Sequence, residues 1–126
     1  MICPLAASPL GWCWLGSVLI LAREEVVAAL LGLMVELRGL QPRFLGREES
    51  VEDALGRGPL AAVVIDCDHP GCSESLLQAI RNVGAQPILF SPFRMQSEVK
   101  EVAARHGTRS FTLPTDPDTF GRMLEA

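Results

Sequence analysis

Residues 61–72 read Ala61-Ala-Val-Val-Ile-Asp66-Cys-Asp-His-Pro-Gly-Cys72: five apolar residues, one acid, then a turn-forming stretch. Five apolar residues are too few for a globular helix and too continuous for a strand with one wet face, so the run predicts a strand buried on both sides. Strands of that kind belong to parallel sheets, whose crossover connections lay helices over both faces. Asp66 ends the apolar run, so any chemistry belongs at the junction between this strand and the turn that follows.

The same grammar extends in both directions. Upstream, Val18-Leu-Ile-Leu-Ala22 is a second continuous apolar run, and Glu24 to Arg38 follows with Val27, Leu30, Leu31, Met34 and Leu37 at spacings that predict the inward face of a helix. Gly39 stops it. Arg43-Phe-Leu45 is a brief strand, and Ser50 with Asp53 three residues on resembles a capping box for a helix through Leu55. Downstream, Ser73 is a cap for a helix carrying Leu76, Leu77, Ile80 and Val83. Pro87 to Phe90 is the next strand, and Ser97 is the expected cap of a helix with Val99, Val102 and Ala103 inward. Arg109 to Leu113 supplies a fifth strand, and Asp116 before Pro117 opens a last helix with Phe120 and Leu124.

Five strand–helix units with short connections predict an α/β, flavodoxin-like (βα)5 three-layer sandwich, its parallel sheet ordered 2-1-3-4-5. The domain is expected over residues 17–126. Residues 1–16 read as an apolar arm whose Trp12, Cys13, Trp14 and Leu15 are costly to leave in water, so the arm is expected to cover an apolar surface on this chain or on another copy.

Composition narrows the function classes. The 126 residues suit one domain, and 48% hydrophobic with 21% charged residues is the balance of a packed chain. Net charge is −4, and ten of the eleven basic residues are scattered arginines, so no basic stripe awaits nucleic acid. Cys3, Cys13, Cys67 and Cys72 read as reduced thiols of a cytoplasmic protein, since so apolar a domain needs no disulfide. Residues 1–22 carry no charged side chain, but Pro4, Pro9, Gly11 and Gly16 interrupt them and the most apolar run is too short to span a membrane. Neither a signal peptide nor a membrane contact is expected.

In parallel α/β sheets reacting groups gather beyond the carboxyl ends of the strands, here Ala22-Arg23, Asp66-Cys67, Ser91-Pro92 and Leu113-Pro114. Those positions resemble the response-regulator receiver domains. Asp66 stands where the family has its phosphoacceptor, with Pro70-Gly71 at the family's spacing. Ser91 resembles its conserved Ser/Thr, and Pro114 the proline after its lysine. The likeness runs from about Ser17 to Glu125 and implies a signalling role. The departures are as specific. The acidic pair that holds Mg²⁺ in the family is replaced by Ala22-Arg23, and its lysine by Leu113; the chain's one lysine, Lys100, falls in the fourth helix. A guanidinium beside Asp66 repels Mg²⁺ where carboxylates would hold it.

Asp66 therefore has two readings: a surviving phosphoacceptor, or a carboxylate paired with Arg23 or capping its own loop. The second is preferred, as is a loop-satisfying role for Ser91. Cys67, His69 and Cys72 are zinc-competent but lack a second ligand pair, so no metal is expected, and no cofactor. No glycine-rich phosphate loop or nucleophile elbow is present, which favours binding over catalysis. The expectation is a degenerate receiver, or pseudo-receiver, acting by contact with an unidentified protein. Self-association as a homodimer is expected through the arm or an edge bearing Phe93, Phe111 and Phe120. The alternatives are an atypical phosphorylatable receiver of a phosphorelay, with Asp66 as acceptor, and a small flavodoxin-like ligand-binding or enzymatic domain using the Cys67–Cys72 loop.

Overall fold

A computed structural model of the chain describes residues 16–113, 115 and 117–124. Residues 1–15 of the apolar arm, the Asp116 cap and Pro114 lie outside these described residues. Five strands alternate with five helices: β1 (Ser17–Leu21), α1 (Glu25–Glu36), β2 (Gln41–Phe44), α2 (Val51–Leu55), β3 (Ala62–Asp66), α3 (Glu74–Asn82), β4 (Gln86–Ser91), α4 (Gln96–His106), β5 (Arg109–Thr112) and α5 (Pro117–Leu124). The sheet order is β2-β1-β3-β4-β5, every pair parallel.

Successive strand residues point to opposite faces, and the core divides accordingly. Val18, Ile20, Ala62, Val64, Ile88 and Phe90 pack on one side with Leu31, Met34 and Val35 of α1 and with Phe120 and Leu124 of α5. Leu19, Leu21, Val63, Ile65 and Leu89 pack on the other with Leu55, Leu76, Leu77, Ile80 and Ala103 from α2, α3 and α4. All five residues of β1 and of β3 are buried, as their unbroken apolar runs require.

Several helix expectations hold at the level of single atoms. Ser50 Oγ accepts the Asp53 N–H at 3.1 Å and Ser73 Oγ accepts the Leu76 N–H at 3.1 Å, each satisfying an otherwise orphaned donor of the first turn. Others do not. Ser97 is not a cap: α4 starts earlier, Met95 is its N-cap residue, and Ser97 lies exposed in the first turn. Leu30, Leu37 and Val83 are 46%, 70% and 46% exposed rather than inward. On α1 the face toward the sheet is set by Leu31, Met34 and Val35, which leaves Leu30 and Leu37 on the far side. Phe111 and Phe120 are core residues, 5% and 0% exposed, with Phe111 stacked on Phe90 at 5.2 Å and edge-on to Phe120 at 5.0 Å. Only Phe93 of the expected aromatic contact surface is exposed.

Candidate functional site: an arginine-closed acidic pocket

The parallel register brings the ends of β1, β3 and β4 together. Leu21 pairs with Ile65 and Asp66 with Phe90, so the Ala22-Arg23 turn, the Asp66 carboxylate and Ser91 share one edge of the sheet. Asp66 is 1% exposed. A carboxylate so buried needs partners for both oxygens, and it has them. Oδ1 accepts the backbone N–H of Asp68 at 2.9 Å, and Oδ2 accepts from Arg23 Nε at 3.2 Å.

Asp68, two residues on, is the second carboxylate of the site. Arg94, from the loop after β4, grips it: Nη2 donates to Oδ1 at 2.6 Å and Nε lies 3.1 and 3.2 Å from the two oxygens. This hydrogen-bonded guanidinium holds the Asp68 carboxyl below its ordinary value and raises Arg94 in return. Arg23 Nη2 also lies 3.7 Å from Asp68 Oδ2, and the Arg23 guanidinium stands 5.8 Å from the centre of the Phe93 ring. Two carboxylates thus face two guanidiniums, and the cluster is neutral.

Ser91 is 1% exposed, and its Oγ accepts the N–H groups of Phe93 and Arg94 at 3.2 and 3.0 Å. It fixes the loop that delivers Phe93 to Arg23 and Arg94 to Asp68. Leu113 is half-buried and packs against the core on the α1 and α5 side. Lys100 is exposed on α4.

The loop from Cys67 to Cys72 is built by turns: the His69 N–H donates to the Asp66 carbonyl at 2.9 Å and the Cys72 N–H to the His69 carbonyl at 2.9 Å. His69 Nδ1 accepts the Gly71 N–H at 3.0 Å, which requires that nitrogen unprotonated, and burial lowers the imidazole's pKa in the same sense. Burial is also the main cause that pushes the Cys67 thiol up to about 11 and raises Cys72. Both are free thiols. No three His, Cys, Asp or Glu side chains among the described residues converge to hold a metal ion. Beside this loop a cavity of about 420 Å³ opens between Arg23, Glu25, Ala29, Phe44 and His69.

Of the residues singled out in the sequence, Arg23, Asp66 and Ser91 are brought to one edge, while Leu113 is turned toward the core and Pro114 lies outside the described residues. Asp68 as a partner of arginine, and Arg94 and Phe93 as parts of the site, had no signal in the sequence, because a loop arginine three residues after a strand is ordinary.

No family model matches the chain, and no curated protein does. Solved structures do. The receiver domain of the sensor histidine kinase PA1611 from Pseudomonas aeruginosa PAO1, which holds a magnesium ion in its active-site cleft, superposes with a TM-score of 0.68 at 17% identity over 87% of this chain and 94% of that one. The response regulator receiver domain protein from Clostridium thermocellum gives 0.69 at 14% identity, over 88% and 92%. The chain has the fold of a response-regulator receiver domain. A sensor protein from Polaromonas sp. JS666 gives 0.66 at 22% identity, over 88% and 94%.

Magnesium, which the PA1611 receiver domain holds, is a poor fit to the side chains here. It takes carboxylate oxygens in near-octahedral geometry, yet both Asp66 oxygens and both Asp68 oxygens already have protein partners, and the turn after β1 contributes a guanidinium. No helix among the described residues is long and apolar enough to cross a membrane.

Proposed function

We propose that this chain is a pseudo-receiver: a receiver-fold domain of a two-component type of pathway that signals by protein contact and is not switched by the Mg²⁺-dependent phosphorylation of Asp66. The observation that carries this reading is the Arg23 guanidinium at 3.2 Å from Asp66 Oδ2, where a divalent cation would have to sit. Phosphoryl transfer to a carboxylate needs metal charge to bridge the incoming phosphate and neutralise what develops in the transition state. An arginine already paired with the acceptor occupies that carboxylate instead of activating it. Leu113 at the lysine position supplies no second cation.

The contact surface proposed for a protein partner is the loop after β4, where Phe93 and Met95 stand 66% and 69% exposed directly beside the closed site. The same edge serves a symmetric homodimer, the commonest assembly for soluble chains. No cofactor and no nucleic acid enter this reading, and a cytoplasmic setting suits the free thiols of Cys67 and Cys72.

Incubation with acetyl phosphate and Mg²⁺, read by intact mass, tests the proposal. The expected outcome is an unmodified chain, both in the wild type and in Asp66→Ala. A stoichiometric phosphoryl adduct that vanishes in Asp66→Ala refutes it and establishes a phosphorelay component of unusual chemistry.

A further inference from the structure

The outward side of α1 carries an apolar stripe. Val26 is 80% exposed, Leu30 46%, Leu33 61% and Leu37 70%. Spacings of four, three and four residues align these side chains along one side of the helix, opposite Leu31 and Val35, which face the sheet. Single exposed leucines are ordinary, but four apolar side chains aligned along a 12-residue helix and its C-cap Leu37 form a patch of the kind that marks an interaction surface.

The chain enters the described fold beside one end of that stripe. The Gly16 carbonyl accepts the Gln41 N–H at 2.8 Å, and a Cβ placed on Gly16 would lie 3.5 Å from Leu40, three residues beyond Leu37. Before Gly16 stand fifteen residues with no charged side chain, among them Ile2, Leu5, Leu10, Trp12, Trp14 and Leu15. We propose that residues 1–15 dock on the Val26–Leu30–Leu33–Leu37 stripe of their own molecule, with the Trp12–Leu15 end nearest Leu37.

Reach is ample, because the stripe from Val26 to Leu37 spans roughly 17 Å of helix while fifteen extended residues span roughly 50 Å. A tether this short also presents the arm to the stripe at an effective concentration on the order of millimolar, so a contact that would be negligible between separate molecules is filled within one. One contact removes two apolar surfaces from water. A second copy's α1 is the weaker occupant, since a single short helix offers far less than the roughly 20–30 residues a side of a standard interface.

The chain carries its own reporter. Its two tryptophans, Trp12 and Trp14, both lie in the arm and there is no tyrosine, so tryptophan emission reports the arm alone. In the full chain the emission is expected at the short wavelengths of a dehydrated indole, protected from acrylamide and unchanged on dilution. The Val26→Asp/Leu33→Asp variant should move it to longer wavelength and lose the protection, while Val83→Asp, at a 46% exposed apolar position that caps the end of α3, should leave both as they are. Far-UV circular dichroism checks that each variant is folded, and Leu37→Asp alone gives the same reading if the double variant is not. Water-like emission from the full chain overturns the proposal. So does emission that the stripe substitutions do not move, or protection that disappears on dilution together with a fall in mass, which would assign the contact to a second copy.

Discussion

Replacing Arg23 by alanine should cost more than replacing the aspartate it serves, and the structure says by how much. The Asp66 side chain is 2% exposed and that of Arg23 is 38% exposed. Removing a partner from a fully buried pair costs about 3–5 kcal/mol, whereas a solvent-exposed pair contributes about 0–1 kcal/mol. This pair lies between, since the arginine is partly screened by water and Asp66 keeps the Asp68 N–H. About 2 kcal/mol is expected for Arg23→Ala, because the carboxylate is left buried with one hydrogen bond and no countercharge. In a domain of this size that lowers Tm by about 5–10 °C. Asp66→Asn is gentler, below about 1 kcal/mol, as the amide oxygen still accepts the Asp68 N–H and the freed guanidinium can turn to Asp68 and solvent. The double variant should sit closer to Asp66→Asn than to Arg23→Ala, which gives a coupling of at least about 1 kcal/mol in a urea-denaturation cycle at pH 7. Equal costs for the two single variants, or costs that simply add in the double, would sink the claim that Arg23 supplies the charge holding Asp66 in the fold.

Two further outcomes follow from the same geometry. Arg94 holds the Asp68 carboxyl below its ordinary value of 3.8, so the pair stabilises the fold above that pH and the contribution is lost as pH falls through the depressed native value. Arg94→Ala should therefore lower the urea midpoint at pH 7, by about 1 kcal/mol of stability for so exposed a pair, and the gap from wild type should narrow as acid protonates Asp68; a gap that stays constant down to pH 2 would contradict the assignment. For the homodimer through Phe93 and Met95, sedimentation equilibrium at tens of micromolar should give a mass above the monomer that Phe93→Asp returns to the monomer. A monomeric wild type refutes that part of the proposed function.

How far the sequence could be read depended on whether a segment's pattern had one solution. The continuous apolar runs 18–22 and 61–65 read as strands buried on both faces, and two such runs with helical spacers imply the parallel sheet. The pairing of Arg23 with Asp66 was legible for the same reason, as both positions fall at strand ends that a parallel register must align. Helix α1 was not legible in this way. From Val26 to Val35 every residue is apolar or glycine, so periodicity cannot choose a face: the spacing places Leu30 and Leu37 inward, whereas packing against β1 and β2 selects Leu31, Met34 and Val35. Phe111 and Phe120 failed for a different reason: a phenylalanine near a sheet edge reads alike whether it points out or into the layer between sheet and helix. Arg94 belongs to no local pattern, and only the turn that Ser91 imposes carries it to Asp68.

That turn links the substitutions at the site into one arrangement. In a receiver that is switched, the acid at the end of β3 and the hydroxyl at the end of β4 must be available to an incoming phosphoryl group. Here the hydroxyl of Ser91 already accepts two backbone N–H groups, and the loop it fixes sends Phe93 toward Arg23 and Arg94 onto Asp68. Arg23 in turn closes on Asp66, whose other oxygen holds the Asp68 backbone. The contacts form a closed ring of Asp66, Arg23, Phe93, Ser91, Arg94 and Asp68, in which every carboxylate oxygen and the Ser91 hydroxyl has a protein partner and the charges cancel. Opening it for a metal and a phosphoryl group would strip two carboxylates of their arginines at once, a larger cost than either single variant carries. A ring satisfied by its own side chains favours one arrangement of the loop after β4, which supports the proposed reading of Phe93 and Met95 as a constant contact surface rather than a switched one.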